Sequence, residues 1–425
     1  MPTRISRREF LRRSALVAAG LPGAGDLLVA CTGSPPTRRE ARALLPRPDR
    51  PVTWPIHDDN PPIGSDLPIE RGGTLRVYEW RRYLSKSVLD EFARLYRRYD
   101  VHVAAESFES RDAALARMAE PNADFDVFLP TVDQIGQLVN ARLLRPLNHD
   151  HLPNLRSLWP QFRGPGGPFY DQDLRYTIPY TVFSSGIGWR TDLVAKSDAP
   201  PALDVPWNVM WDRTYRGKVG IYDDYREALS MALLRDGVTD VNTADPVALA
   251  RAERSLAEMA AAVDVELTTE GAYEGLPTGE FALHQAWSGD MLSAIRWGHA
   301  RRLGTVSALE YWWPTDGSGV VGCDLIAICS RGRNPVLAHA FLNHLLDSDV
   351  ALRNFAWNGY QPPVNDATPE MLFGPRSPWR GSVPDRLRYA VMTPGEFERG
   401  EFLLGLDPAT DAEWMGQWDL FRSGL

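Results

Sequence analysis

Short apolar runs alternate with amphipathic segments along most of the chain, and this pattern predicts an α/β fold. Runs rich in β-branched and aromatic residues have strand character, and segments with apolar positions three or four apart have helical character. The first set alternates strand and helix three times, at 73–78, 87–96, 102–108, 111–118, 126–129 and 133–140. Because parallel strands need crossover connections and helices supply them, we expect a parallel sheet covered by helices.

The long apolar stretch 177–189 is predicted to pass from a first lobe to a second. The second lobe has its own alternating set, with strands at 219–222 and 281–287 and helices at 226–234, 246–262 and 290–298. A strand at 322–330 then returns the chain to the first lobe, followed by helices at 334–346 and 349–357 and a tail of weak periodicity from 369. The predicted domains are lobe 1, residues 72–182 plus 322–368, and lobe 2, residues 183–321 plus 369–425. Such crossings form a hinge over a cleft, and ligands of open α/β sheets bind beyond the carboxyl ends of the strands.

The N-terminal segment resembles an export and lipidation signal. Ser6-Arg7-Arg8-Glu9-Phe10-Leu11-Arg12 is similar to a twin-arginine motif, and Leu28-Val29-Ala30-Cys31 is similar to a lipobox. We expect a signal peptide at 1–30, lipidation of Cys31 and a tether at 31–71. The protein would be exported by the twin-arginine route and anchored in the periplasm or at the outer face of the cytoplasmic membrane. The alternative is a chance pair of arginines and an ordinary buried thiol.

An acidic cluster, Asp223-Asp224-Tyr225-Arg226-Glu227, follows the predicted strand 219–222. Asp224 and Glu227 are three residues apart, so their carboxylates can share one face at the start of a helix. Such a pair can hold a cation, but Asp-x-x-Glu is also a capping-box pattern that only begins a helix. The two interpretations are compatible if Asp224 caps the helix through one oxygen and offers the other to a ligand.

Composition and motifs exclude several functions. The formal net charge is −9 and no basic stripe with interleaved aromatic residues is present, so nucleic acid is not an expected partner. The run 317–322 matches a dinucleotide-binding pattern but precedes a strand instead of a helix. His149 and His151 flank an aspartate in a loop, which is more often solvated than metal-bound. Cys323 and Cys329 lie too far apart on one predicted strand to form a disulfide. Because no catalytic constellation is found, we expect neither an enzyme nor a bound cofactor or metal.

Several short motifs follow one another in order between about residues 72 and 420. They are Tyr78-Glu79-Trp80-Arg81-Arg82-Tyr83, Asp126-Val127-Phe128-Leu129-Pro130-Thr131, Ile178-Pro179-Tyr180, the cluster 223–227, Trp313-Pro314 leading to Asp324-Leu325-Ile326-Ala327-Ile328, and Gly359-Tyr360-Gln361-Pro362-Pro363. In this order they resemble the spermidine/putrescine-binding proteins of bacterial ABC importers. The resemblance implies the type II periplasmic-binding-protein fold, in which two α/β lobes are joined by several hinge crossings and enclose the ligand cleft.

The resemblance also implies a set of ligand-binding side chains. Trp287 would pack on the aliphatic chain of a ligand, and Asp324 would pair with an amine. Aromatic faces suit both methylene groups and ammonium charges, and carboxylates in a desolvated cleft form charge-assisted hydrogen bonds. The expected residues are the aromatic Trp80, Tyr83, Trp287 and Tyr360, the carboxylates Asp224, Glu227 and Asp324, and, after the third strand, Thr131 and Asp133.

The chain departs from the family pattern at several of these places. Asp133 stands where a tyrosine is common, Gly322 where a tryptophan is expected, and Leu403 near the position of a glutamine. Arg81 and Arg82 stand where an acid is common. The expected solute is therefore a polyamine or a related organic cation whose length and identity stay open.

We expect a lipid-anchored, monomeric receptor that delivers a putrescine- or spermidine-like cation to the permease subunits of an ABC importer. One alternative is the same role for a solute that also carries a carboxylate, such as an amino acid or a guanidino compound, which Arg81 and Arg82 would favour. The others are an exported enzyme and a cell-surface sensor subunit. Simpler structural roles, in the core, in a turn or at a helix cap, stay open for Trp80, Trp287, Asp324, Tyr360 and Asp290.

Overall fold

The computed structural model describes residues 45–108, 110–164, 166–375 and 383–425. The predicted signal peptide, Cys31 and the first part of the predicted tether lie outside these ranges. Within them, no helix is both long and apolar enough to cross a membrane. Cys323 and Cys329 are buried free thiols.

One mixed sheet runs through the described residues. Its strands are β1 Thr74–Trp80, β2 His102–Phe108, β3 Val127–Phe128, β4 Leu144–Arg145, β5 Thr177–Arg190, β6 Val219–Ile221, β7 Glu266–Leu267, β8 Leu283–Trp287, β9 Leu309–Trp312, β10 Val320–Cys329 and β11 Glu401–Phe402. The order across the sheet is β2-β1-β3-β10-β5-β8-β6-β7, with β4 and β11 paired to β10 and β9 paired to β5. The sets β2-β1-β3 and β8-β6-β7 are each parallel, which confirms the predicted α/β class.

The long antiparallel strands β5 and β10 join these two parallel sets. The first half of β5 pairs with β10, and its second half, from Ser185 onward, pairs with β8 and β9. The ladder between β5 and β10 shifts register between Asp324 and Leu325. A bulge of this kind redirects side chains locally, and here it falls at the strand residue that was expected to contact a ligand.

Helices cover the sheet and connect its strands. They are α1 Lys86–Leu95, α2 Arg111–Ala119, α3 Ile135–Asn140, α4 Pro160–Arg163, α5 Tyr225–Arg235, α6 Pro246–Val263, α7 Leu276–Thr278, α8 Ser288–Ala300, α9 Pro335–Leu345, α10 Ser348–Asn358, α11 Pro369–Phe373, α12 Pro394–Arg399 and α13 Pro408–Ser423. A 3₁₀ turn, Val132–Gln134, leads into α3.

Most of the predicted helices form within a few residues of their expected bounds, and the differences have local causes. Helix α1 begins earlier than predicted because Ser85, and not Ser87, caps it by accepting a hydrogen bond from the backbone N–H of Val88. Helix α8 begins at Ser288, so Asp290 lies inside its first turn and the suggested role of Asp290 as N-cap is wrong.

Helix α13 is absent from the predictions, although the tail carries a signal for it. Asp407 accepts a hydrogen bond from the backbone N–H of Thr410, and Pro408 occupies the first turn, where its missing N–H costs nothing. Trp414, Trp418 and Phe421 are spaced four and three apart and are all buried in the core that β6, α5 and α6 share. The periodicity is weak because the exposed apolar residues Met415 and Leu420 interrupt the pattern of buried apolar and exposed polar positions.

Part of the segment predicted as a tether packs on the folded body. Trp54 is buried, and its indole Nε1 donates to the backbone oxygen of Tyr170 at 2.8 Å. The backbone N–H of Val52 donates to the backbone oxygen of Phe169 at 2.8 Å. Such contacts hold the described residues before β1, 45–73, which contain no helix or strand.

Candidate functional site

A cavity of about 280 Å³ lies where the carboxyl ends of the parallel strands meet. The segments that follow β1, β2, β3, β6 and β8 all reach it, as expected for an open α/β sheet. All of the predicted ligand-binding residues line it: Trp80, Tyr83, Thr131, Asp133, Asp224, Glu227, Trp287, Asp324 and Tyr360. The structure therefore brings together residues that are up to 280 positions apart in the sequence, from Trp80 to Tyr360.

Asp324 projects from β10 into a pocket of hydroxyl groups. The Tyr83 hydroxyl donates to its Oδ2, and the Thr181 Oγ1 lies 3.3 Å from the same oxygen. Only 6% of the residue is exposed, and this burial raises the pKa of the Asp324 carboxyl to about 7, against the opposing effect of those hydrogen bonds. The turn-cap alternative for Asp324 is wrong, because it lies within a strand and its carboxylate accepts from distant side chains.

Glu227 lies on the first turn of α5 and faces the cavity. Its Oε1 accepts from the Trp287 indole Nε1 at 2.7 Å and from the Ser185 Oγ at 3.1 Å. Burial, together with the nearby charge of Asp224, raises the pKa of the Glu227 carboxyl to about 7. The Glu227 side chain therefore accepts hydrogen bonds from cavity side chains and does not form a capping box with Asp224.

Asp224 caps α5 and lines the cavity at the same time. Its Oδ1 accepts from the backbone N–H groups of Arg226 and Glu227, at 2.9 and 3.1 Å. Its Oδ2 lies 2.9 Å from Nη2 of Arg111. The cap is confirmed, and the second oxygen faces a cation that belongs to the protein itself.

Aromatic side chains form the remaining wall. Trp287 stacks on Tyr222 with ring centroids 3.9 Å apart and planes 19° apart. Tyr83 and Tyr360 meet edge to face at 5.2 Å. Phe183 contacts Trp287 and Tyr360, in each case with centroids 6.0 Å apart. Such an arrangement offers several ring faces and edges to an apolar or cationic chain.

Phe183 occupies the space beside Gly322, where the family pattern suggested a tryptophan. The two residues are direct partners across β5 and β10, and a Cβ atom on Gly322 would lie 2.1 Å from the Phe183 ring. The aromatic wall is therefore supplied from the opposite strand. At the position near the expected glutamine, Leu403 also lines the cavity and makes that part of the wall apolar.

Asp290 is a cavity residue that the sequence analysis missed as such. Its Oδ2 accepts from the Tyr222 hydroxyl at 2.6 Å and its Oδ1 accepts from the Tyr360 hydroxyl at 2.8 Å. Burial raises the pKa of the Asp290 carboxyl to about 6. Asp290 lies three residues after β8, and an acid just after a strand is the same pattern that indicated the acidic cluster after β6.

Arginines line the cavity as well, and most of them pair with acids. Nη1 of Arg81 lies 3.0 Å from Oε1 of Glu270, and Nη1 of Arg82 lies 3.2 Å from Oε1 of Glu274. Arg111 was not predicted from the sequence. It lies three residues after the end of β2, so it is at the same edge of the sheet as the other cavity residues. The cavity is thus neither purely acidic nor purely aromatic.

Two carboxylates in the cavity each keep one oxygen that accepts no hydrogen bond from a described residue. Oε2 of Glu227 and Oδ1 of Asp324 accept no hydrogen bond within the described ranges, and neither side chain forms an ion pair there. An ammonium group at either oxygen would form a charge-assisted hydrogen bond and would favour the ionised carboxylate. The geometry can therefore hold an organic cation between carboxylates and aromatic rings.

The chain also matches known proteins along most of its length. A family model described as bacterial extracellular solute-binding protein matches residues 88–374. The chain belongs to this family. As a solute-binding protein it acts outside the cytoplasm and binds its ligand without converting it, so the enzyme alternative is not supported.

Two relatives of this solute-binding protein are named as spermidine/putrescine-binding proteins. The spermidine/putrescine-binding periplasmic protein 1 of Haemophilus influenzae is 25% identical over 280 residues, which are 65% of this chain and 72% of that protein. The spermidine/putrescine-binding periplasmic protein of Escherichia coli is 26% identical over 291 residues, 68% of this chain and 77% of that protein. Among solved structures, a spermidine/putrescine ABC transporter substrate-binding protein of Streptococcus pneumoniae superposes with a TM-score of 0.64 at 20% identity, over 83% of this chain and 99% of that chain. The two-lobed periplasmic-binding-protein fold is confirmed.

His149 and His151, which were considered as metal ligands, form hydrogen bonds with backbone oxygens. His149 Nε2 lies 3.0 Å from the backbone oxygen of Leu174, and His151 Nε2 lies 3.0 Å from that of Gly64. Across the described ranges no three acids, histidines or cysteines are grouped as a metal site would need.

Proposed function

We propose that this protein is the receptor of an ABC importer and binds a polyamine-type organic cation, with Glu227 and Asp324 as the carboxylates that meet ammonium groups. The observation that carries the proposal is the pair of carboxylate oxygens left open among aromatic rings in one cavity. The names of the Haemophilus influenzae and Escherichia coli relatives support the polyamine class.

The physical match lies in the alternation of charge and methylene groups in such solutes. The ammonium groups exchange their hydrogen bonds to water for hydrogen bonds to the carboxylates of Glu227 and Asp324. The methylene groups between them pack on the rings of Trp287, Tyr360 and Phe183. Each half of the sheet supplies part of this wall, so a bound solute would hold the two lobes closed for recognition by a permease.

Thermal unfolding of the purified protein with a panel of solutes tests this proposal. The panel contains putrescine, spermidine, spermine, amino acids and betaines, and a ligand at one hundred times its Kd stabilises the folded protein by about 2.7 kcal/mol. We expect a clear rise of Tm with at least one polyamine and none with betaines. Unchanged Tm with every polyamine would reject the proposed ligand class.

A second candidate is a cation that also carries a carboxylate. Arg296 lines the cavity, stacks on Trp357 with its guanidinium carbon 3.6 Å from the ring centroid, and has no carboxylate partner within the described ranges. The buried indole N–H groups of Trp80, Trp297 and Trp357 likewise lack an acceptor there. Putrescine and 4-aminobutanoate share one carbon chain and differ in a single end group, so their affinities decide between the two candidates.

We further propose that the protein is a monomer that reaches its place by the twin-arginine route and is held there by a lipid on Cys31. The motif at Ser6–Arg12 supports the route, and the lipobox that ends at Cys31 supports the lipid anchor. Cys31→Ser should move the protein from the membrane fraction to the soluble extracytoplasmic fraction, and Arg7→Lys/Arg8→Lys should retain it inside. Unchanged fractionation of both variants would contradict the anchor and the route.

A further inference from the structure

Arg111 lies in the cavity and pairs with two carboxylates that were expected to receive the solute. Its Nη1 is 3.0 Å from Oδ2 of Asp133, and its Nη2 is 2.9 Å from Oδ2 of Asp224. The other oxygens are also engaged, since Oδ1 of Asp133 accepts from the Thr131 hydroxyl and Oδ1 of Asp224 accepts from two backbone N–H groups of α5. Every oxygen of both carboxylates thus has a partner inside the protein.

The guanidinium of Arg111 is held as a bound cation would be. Its side chain is 23% exposed, its two terminal nitrogens address one carboxylate each, and the Tyr225 ring centroid lies 5.9 Å from its central carbon. Asp133 follows β3 and Asp224 follows β6, so the contact joins the two parallel sets of strands across the cavity. A planar guanidinium suits this double pairing better than a flexible ammonium group.

Glu227 and Asp324 differ from this pair. Each keeps an oxygen that accepts no hydrogen bond from a described residue, and neither forms an ion pair within the described ranges. The acidic side chains around Arg111 therefore form two classes, one already neutralised by the protein and one open to a ligand.

We propose that Arg111 takes the place of one ammonium group and so restricts the solute to a diamine, with two positive charges, over a triamine. The inference rests on the proposed function, because it concerns which cation the same cavity accepts. A third ammonium group near Asp133 and Asp224 would find no carboxylate oxygen free and would be repelled by the guanidinium.

Titration calorimetry with putrescine and spermidine tests the proposal, because spermidine is putrescine extended by one aminopropyl group. We expect wild-type protein to bind putrescine at least about tenfold more tightly than spermidine. Arg111→Gln frees two carboxylates for the third ammonium group. The ratio of spermidine to putrescine affinity should therefore rise about tenfold to a hundredfold, the range for one charged hydrogen bond.

Arg117→Gln is the matched control. Arg117 lies on the same helix, α2, pairs with Glu120 at 2.8 Å and with Glu106 at 3.7 Å, and is outside the cavity. The affinity ratio of this variant should equal that of wild type. Adding Asp133→Asn to Arg111→Gln removes the newly freed charge and should reverse most of the gain, and Arg111→Met should reproduce that gain if the glutamine variant does not fold.

The outcomes separate the inference from the proposed function. If wild-type protein binds polyamines and neither Arg111 variant changes the affinity ratio by more than about twofold, the inference is wrong and the proposed function stands. A wild-type preference for spermidine would also overturn the inference. If neither wild type nor any variant binds either amine, the proposed function itself fails.

Discussion

Glu227 and Asp324 are the two residues on which the proposed cation site depends most. Both carboxyls are buried, and burial raises their pKa values to about 7. In the ligand-free protein each therefore exchanges its proton near neutral pH. A bound ammonium group stabilises the charged form and lowers both pKa values, so proton release should accompany binding.

The pH dependence of binding follows from that release. Between pH values of about 6 and 8 the primary amines stay protonated, so the titrating groups are the carboxyls. Affinity should rise with pH through this range and level off above the ligand-free pKa values. Below them the loss is up to about tenfold per pH unit for each carboxyl that must lose a proton. Calorimetry in buffers of different ionisation enthalpy counts the protons released. Binding that neither depends on pH nor releases protons would show that these carboxyls do not meet the ligand.

Asp324→Asn tests one of these carboxyls by itself. The amide keeps the shape of the side chain and can still accept from the Tyr83 hydroxyl, but it loses the charge that pairs with an ammonium group. Kd for the polyamine should rise about tenfold to a hundredfold. Asp316→Asn is the control, because Asp316 is exposed and outside the cavity. Equal Kd values for wild type and Asp324→Asn would remove Asp324 from the site.

Single residues also mark how far the sequence could predict the site. The cavity-lining set from Trp80 to Tyr360 was predicted because short motifs keep their order along the chain. Phe183 could not be found in this way. Its place beside Gly322 depends on the register of β5 against β10, which long-range pairing fixes.

Helix α5 positions two cavity residues, because Asp224 is its N-cap and Glu227 lies on its first turn. Asp224→Asn keeps a good N-cap and loses only the charge, whereas Asp224→Ala loses both. The alanine variant should be less stable than the asparagine variant by about 1 kcal/mol in chemical denaturation. Equal stability of the two variants would show that the cap at Asp224 does not stabilise the protein.

Helix α13 ties the end of the chain to the same region. Trp414 is fully buried, its Nε1 donates to the backbone oxygen of Thr243 at 3.0 Å, and Arg226 stacks on its ring at 4.7 Å. Trp414→Ala should lower the free energy of unfolding by about 3–5 kcal/mol, as for other buried tryptophans. The exposed Met415 on the same helix is the control. A loss below about 1 kcal/mol for Trp414→Ala would contradict the packing described.

Elements were predicted best where the local pattern decides them. Strand β2 and helices α2, α5 and α6 agree with their predictions within a residue or two, and Ser110, Asp224 and Asp245 cap the three helices at their starts. Helix α13 was missed because three aromatic side chains carry its buried face. The start of α8 was misplaced because Asp290 resembles a cap in sequence but is drawn inward by two tyrosine hydroxyls.

At the scale of the whole molecule, two parallel strand sets meet along β5 and β10, and every predicted ligand-facing residue lies at their junction. The order of strands and helices was enough to predict the α/β class and the edge of the sheet where the cavity lies. It could not predict the ion pairs of Arg81, Arg82 and Arg111 across the cavity, because each partner comes from a distant part of the chain. Those contacts decide how many of the acids stay available to a solute.

A crystal structure with a bound diamine tests the central claim most directly, because it locates the ammonium groups. The account predicts a diamine in the cavity with an ammonium nitrogen about 2.7–3.0 Å from Oδ1 of Asp324 or Oε2 of Glu227, and Arg111 still paired with Asp133 and Asp224. A diamine bound elsewhere, or bound in the cavity with both of those oxygens left free, would contradict it.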